Sequence, residues 1–467
     1  MTGGQAAGTA GTDRRPDASA RPRRGKVKDL VAVNFGNTLE WYDWTIYTIF
    51  APYFSVRLFD DGDPASALLA SLAIFAVGFV TRPLGGIVFG AYADRAGRRR
   101  ALTAAMLLTA GGSIAIAVTP TFESIGVAAS AILLLARLLQ GLAHGGEMGT
   151  AVTYLVERAP ARRRALFGSS SWVSVVLGTM LATITGLVLS GNLTEEQVGS
   201  WGWRVAFGIG GLLGLYALYL RRQLTETDAF EQVGTGGASA GEPATGADGT
   251  TPTPVATPVS TPAGRPEVSR SLLPHWRGVL VVLGLSAGGS IMFYTWLIYM
   301  PTYAQVRFGQ SATSALTASL VAQALFLGAI LGAGWLGDRI GRRPLVIGFG
   351  VAFVLLTYPV YQLVDGSFAG LFAALLVALL ALALLFGVNG AVWAEVFPTQ
   401  VRAVGVAAPL SFATAIFGGT APYLNTALGD AGRGSWFVWY LVAVAGVTLL
   451  TGLLMRETKG VDLHREV

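Results

Sequence analysis

Long apolar runs, broken at intervals by short clusters of charge and glycine, dominate this chain. The runs and their breakers predict helices near 30–54, 67–91, 101–119, 126–149, 166–190 and 203–220. A second set follows near 278–302, 315–336, 344–363, 367–392, 404–427 and 435–455. Each run is close to the ~20 residues that a helix needs to cross the hydrocarbon of a bilayer.

The breakers between the runs repeat. Gly90, Asp94, Arg95, Gly97, Arg98 and Arg99 return in register as Gly334, Asp338, Arg339, Gly341, Arg342 and Arg343. Glu157, Pro160 and Arg164 return as Glu395, Pro398 and Arg402. The shift is about half the chain, too long for a solenoid unit, and it predicts two related halves. Duplicated membrane halves are the architecture of secondary transporters. The expected fold is an all-α membrane protein of twelve transmembrane helices in two pseudo-symmetric six-helix bundles.

Composition narrows the picture further. Of 467 residues, 52% are hydrophobic and 13% charged, with a mean hydropathy of +0.55; soluble domains carry about 25% charged residues. The net charge of +6 sits in short loops, where it orients the chain in the membrane and calls for no nucleic acid. No cysteine occurs, which excludes disulfides and thiolate chemistry. The histidines are His144, His275 and His464, too scattered for a metal centre.

Basic clusters fall in alternate loops: Arg95 to Arg100, Arg158 to Arg164, Arg221 and Arg222, Arg339 to Arg343, and Arg402. The opposite loops hold acidic residues such as Asp60, Asp61, Asp63, Glu123, Glu195, Glu196, Asp365 and Asp430. This bias predicts a multi-pass protein of the cell membrane with both termini cytoplasmic. Residues 1–28 read as a disordered basic cytoplasmic arm without the apolar core of a signal peptide. Residues 29–222 and 276–456 are the two expected bundles, joined by a Thr/Pro/Gly-rich flexible linker over 223–275 and followed by a cytoplasmic tail over 457–467. A monomer is expected.

The doubled Gly-x-x-x-Asp-Arg-x-Gly-Arg-Arg loop resembles the signature of the major facilitator superfamily. Glycine at Gly90 or Gly334 lets helices approach closely, Asp94 or Asp338 pairs with arginine or caps a facing helix, and Gly97 or Gly341 makes the turn. The run from Gly36 and Asn37 to Glu40, Trp41, Tyr42, Asp43 and Trp44 sharpens the resemblance. Arg82-Pro83 and the stretch Arg137, Gln140, Gly141, Gly145, Gly146, Glu147 do the same, as do Phe293-Tyr294 and Tyr299 to Tyr303. Together they are similar to the metabolite:proton symporter family, whose members carry α-ketoglutarate, citrate, shikimate, proline and betaine. The resemblance implies a conformational latch made by Asp94, Arg95, Arg98, Glu147, Glu157, Arg164, Asp338, Arg339, Arg342, Glu395 and Arg402.

Ionisable groups inside the membrane ask for a partner or a function. Gly36, Glu40, Asp43 and Tyr47 share one face of the first helix. Two close carboxylates resist ionising together, so Glu40 and Asp43 are the candidates for proton coupling; the alternative is structural pairing with Arg82 or Arg137. Those arginines lie about halfway along the second and fourth helices, placed for two-toothed contact with a substrate carboxylate or for an ion pair with Glu40, Asp43 or Glu147. Asn37, Tyr47, Gln140, Tyr294, Tyr299 and Asn389 are further candidates to line the binding site. His144 reads as a packed helix residue.

The expected function is proton-driven uptake of a small organic acid or betaine-like substrate by alternating access. No catalytic triad, metal cluster or nucleotide loop is visible, so neither enzyme activity nor a cofactor is expected, and the proton gradient supplies the drive. The alternatives are a proton-coupled antiporter, against which the absence of proline from Ser169 to Gly186 counts, and a facilitative uniporter.

Overall fold

The computed structural model describes residues 23–60, 62–145, 156, 159–222, 272–398, 401–461 and 463. These residues form helices and no strands. The first six long helices are α1 (Arg23–Leu58), α2 (Pro64–Ala96), α3 (Arg98–Val118), α4 (Ala128–His144), α5 (Arg164–Asn192) and α6 (Trp203–Arg222). The second half contains α7 (Leu273–Phe308), α8 (Ala312–Ile340), α9 (Arg343–Gln362), α10 (Phe368–Glu395), α11 (Arg402–Asp430) and α12 (Gly434–Leu454). Nine of the helices among the described residues are long and apolar enough to cross a bilayer, and Ala128–His144 is a shorter apolar one. Helix α1 carries Glu40 and Asp43 within its length, which dilutes its hydropathy without breaking the helix.

The packing repeats with the sequence. In the first half α1 packs on α5, α2 on α4 and α3 on α6; in the second α7 packs on α11, α8 on α10 and α9 on α12. The halves meet along α5 and α8, along α2 and α11, and where α1 crosses α7. Large apolar side chains such as Ile87, Leu212, Leu355 and Leu454 stay exposed on the outside, where lipid rather than water is the fitting solvent.

Two boundaries differ from expectation. Helix α1 begins at Arg23, so residues 23–28 of the expected basic arm are helical; arginine and lysine are good helix formers and extend the helix past its apolar run. Leu273–His275, which the sequence reading puts in the linker, forms the first turn of α7. Residues 1–22 and 223–271 lie outside the described residues.

Glycines act where helices touch. A Cβ at Gly141 would strike the Gly78 carbonyl of α2, and one at Gly334 would strike Ser169 and Leu166 of α5. At Gly90, where the same close approach is expected, no described residue lies within 4 Å of a Cβ position, and residues 146–155 lie outside the described residues. The turn glycines behave as expected, with φ of 91° at Gly97 and 107° at Gly341.

Candidate substrate and proton site

Three layers of side chains occupy the interior. The innermost is an ion pair, the next a caged cation, and the third a cavity between the halves.

Asp43 of α1 pairs with Arg137 of α4 at 3.1 Å, with both side chains almost wholly buried. The Ser113 hydroxyl of α3 donates to the same carboxylate, and the Gln140 amide donates to Ser113 at 3.0 Å. Three helices thus converge on one carboxylate with α6 close by, since Gly210 lines the same groove. Arg137 also lies 4.1 Å from the Tyr47 ring centre, and the Tyr47 hydroxyl donates to the Ser71 carbonyl at 2.7 Å. Glu40, one turn before Asp43, contacts the His144 ring nitrogen Nδ1. Glu40 and Asp43 line one groove, shared with Gly36, Thr109 and Ser113, but each is engaged by its own partner. His144 lies between the edges of Trp41 and Trp44; its contact with Glu40 joins residues far apart in sequence.

Arg82 of α2 is the unusual group. It is 2% exposed, and none of its guanidinium nitrogens has a hydrogen-bond acceptor in place among the described residues. Its charge rests on rings, 3.8 Å from the centre of Phe79 and 4.3 Å from that of Trp44. Its polar neighbour is the Tyr294 hydroxyl, which comes from the other half. Face contact with aromatic rings stabilises a cation by ~0.5–2 kcal/mol, far less than the several kcal/mol that burying an ion costs. A cation held this way has unmet demand for an anion.

Tyr294 also lines the cavity between the halves, together with Trp41 and Trp172 from the first half and Ser286, Phe293, Phe386, Asn389, Trp393 and Thr414 from the second. Both α7 and α11 widen into π-helical turns here, over Phe293–Tyr299 and Thr414–Gly418, a local feature common at functional sites. Asn389 accepts from the Trp172 indole at 3.0 Å.

The remaining candidates lie elsewhere. The Asn37 amide donates to Ser174 at 2.7 Å, in the α1–α5 contact. Tyr299 bonds Thr426 at 2.5 Å within the second half, near the Tyr361–Asn425 pair. Trp41, Trp44, Phe79, Ser113 and His144 were not singled out as site residues. Only the spacing of Trp41 and Trp44 beside Glu40 and Asp43 carried a signal for them.

At one end of the bundle, the second copy of the repeated loop closes the seam. Asp338 accepts the backbone N–H groups of Ala165 and Leu166, at 3.0 Å each, at the start of α5, where a carboxylate is favoured. It also meets Arg342 at 3.3 Å. Arg342 grips Glu395 with two bonds of 3.0 and 3.2 Å. Arg164 donates to the Val461 carbonyl and Arg402 to that of Leu463. Arg339 stacks on Trp335, and Arg95 is exposed. Glu147, Glu157 and the side chains of Asp94 and Arg98 lie outside the described residues. Burial pushes the Glu457 carboxyl up, but the backbone N–H groups of Arg342, Lys459, Arg343 and Thr458 outweigh it and hold it below the usual carboxylate range.

Two six-helix halves around a shared cavity, with charges buried beside it and the Asp338 carboxylate bonded across the seam to the start of α5, define a multi-pass membrane transporter. The chain belongs to the sugar (and other) transporter family, whose description it matches over residues 30–465. It is 34% identical to the α-ketoglutarate permease of Escherichia coli (strain K12), with 94% of this chain and 96% of that protein covered. It is 32% identical to a citrate-proton symporter of Salmonella typhi, covering 94% and 97%. It is 31% identical to a glycine betaine/proline/ectoine/pipecolic acid transporter of Dickeya dadantii, covering 92% and 83%. The crystal structure of a D-xylose-proton symporter shares the fold with a TM-score of 0.69 at 19% identity, covering 93% and 99% of the two chains.

Proposed function

We propose that this protein is a proton-coupled symporter that takes a small carboxylated metabolite into the cell by alternating access. It resides in the cell membrane with both termini cytoplasmic, as the basic loops favour. The observation that carries this reading is Arg82, a buried cation at the seam without an acceptor among the described residues. A substrate carboxylate supplies the missing partner, and Tyr294 brings the second half into the same contact.

Coupling follows from the neighbouring pair. Arg137 and Arg82 repel each other, and Asp43 offsets one of the two charges. When Asp43 takes a proton, Arg137 loses its counter-charge and the site becomes more positive. A carboxylate then binds more tightly, and by reciprocity its binding favours the protonated state. Glu40 with His144 is the second candidate for proton uptake. A cytoplasm-negative potential contributes about 2.3 kcal/mol per charge per 100 mV to inward movement of net positive charge.

The test is uptake and counterflow in proteoliposomes with Asp43→Asn and Arg82→Lys. Loss of acid-driven accumulation in the first and loss of substrate exchange in the second are expected. Transport with wild-type pH dependence in both variants would remove these residues from the mechanism.

A further inference from the structure

The cavity between the halves holds more unpartnered donors than one carboxylate at Arg82 can satisfy. Its polar lining falls into two groups. Asn389 with Trp172, and Ser290 with Thr414, satisfy each other. The Trp41 and Trp393 indole N–H groups and the Ser286 hydroxyl have no hydrogen-bond partner among the described residues, although each residue is at most 3% exposed. All three line the same cavity as Tyr294. An indole nitrogen only donates, and buried donors are ordinarily paired.

Among the described residues the lining contains no acidic side chain and no lysine or arginine. A quaternary ammonium would therefore find no counter-charge in it. It would also leave every unpartnered donor unmet. The ring walls can receive a cation face-on, but a cation in that place leaves the three donors unmet. What fits is a group that carries acceptor oxygens.

We propose that Trp41, Ser286 and Trp393 form a second subsite that receives an oxo or carboxyl group at the far end of the substrate, so that the carrier selects oxo- and dicarboxylates over betaines. This rests on the reading of the protein as a carboxylate carrier, in which Arg82 and Tyr294 hold the first carboxylate. The donors come from both halves, Trp41 from α1 and the other two from α7 and α10, so a substrate with oxygens at both ends ties the halves together across the seam.

The test uses the full chain purified in lipid nanodiscs, with α-ketoglutarate, valerate and glycine betaine as probes. Wild type is expected to bind α-ketoglutarate at least about tenfold more tightly than valerate, the loss expected when a charge-assisted hydrogen bond goes unmade, and more tightly than betaine. Trp393→Phe and Ser286→Ala each weaken α-ketoglutarate by about tenfold, while the melting temperature without ligand holds or rises because an unmet donor has gone. If Trp393→Phe disturbs folding, the smaller Ser286→Ala change decides. Betaine binding more tightly than α-ketoglutarate, or variants within twofold of wild type, overturns the subsite while the carboxylate reading stands. Failure of every carboxylate to bind, or to move protons in proteoliposomes, overturns both.

Discussion

Arg82 and Arg137, on neighbouring helices, lie over one indole: their guanidinium carbons are 4.3 and 5.3 Å from the centre of the Trp44 ring. One of the two has a carboxylate partner in Asp43; the other has rings and the Tyr294 hydroxyl beside it and no carboxylate among the described residues. Substitutions at the two arginines should therefore move stability in opposite directions.

Arg82→Met removes a buried charge without an acceptor and should hold or raise the melting temperature, since apolar replacements of buried ions are often neutral or stabilising. It should weaken substrate binding by at least about tenfold, the weight of a charge-assisted hydrogen bond. Thermal unfolding with and without ligand measures both effects. A drop of several degrees in the unliganded protein would make Arg82 a structural residue.

Arg137→Met leaves Asp43 buried with the neutral donors Ser113 and Gln140 beside it and no counter-charge from α4. Breaking a buried pair from one side costs about 3–5 kcal/mol, so this variant should unfold well below wild type. The double variant Arg137→Met, Asp43→Asn should recover much of that loss. Recovery in the double-mutant cycle is the readout, and additive losses would deny the pairing.

Glu457 predicts a pH dependence at the latch. A carboxyl whose folded pKa is lowered contributes stability that is fully present above its unfolded value, here the ordinary 4.5. That contribution disappears as the pH falls below 4.5 and through the folded value. Glu457→Gln should thus melt below wild type at neutral pH, with the gap shrinking on acidification under that point. A gap independent of pH would assign the effect to side-chain shape.

The two copies of the repeated loop offer a contrast between glycines. Gly341 has a φ of 107° and a ψ of 168°, and a Cβ there would meet the Glu457 carboxylate, so Gly341→Ala should cost about 1–3 kcal/mol, the penalty of a backbone region that side chains rarely enter. Gly90 lies in a helix with nothing near its Cβ position among the described residues, and Gly90→Ala should be neutral or slightly stabilising. Melting temperatures of the pair check this directly.

The latch shows where local pattern suffices. Asp338 and Gly341 do what their residue types and spacing require, because a helix-end carboxylate and a positive-φ turn are local matters. Gly334 makes its close approach to Leu166 and Ser169 of α5, a contact that the motif itself does not specify. Asn37, Tyr47 and Gln140 are polar residues on plausible faces, yet their hydrogen bonds go to Ser174, Ser71 and Ser113. No spacing rule anticipates those partners.

Sequence by itself determined the twelve helices, their division into two halves and the membrane as solvent, since apolar run length and a half-chain repeat are properties of the linear order. It also placed Glu40 and Asp43 on one helix face through the 3.6-residue period. Only the tertiary structure decided which charges are paired. Asp43 meets Arg137 and Glu40 meets His144 across distant stretches of chain, while Arg82 has rings in place of a carboxylate. The reason is physical: a buried charge takes its meaning from neighbours within a few ångströms, and in a helical bundle those neighbours lie on other helices.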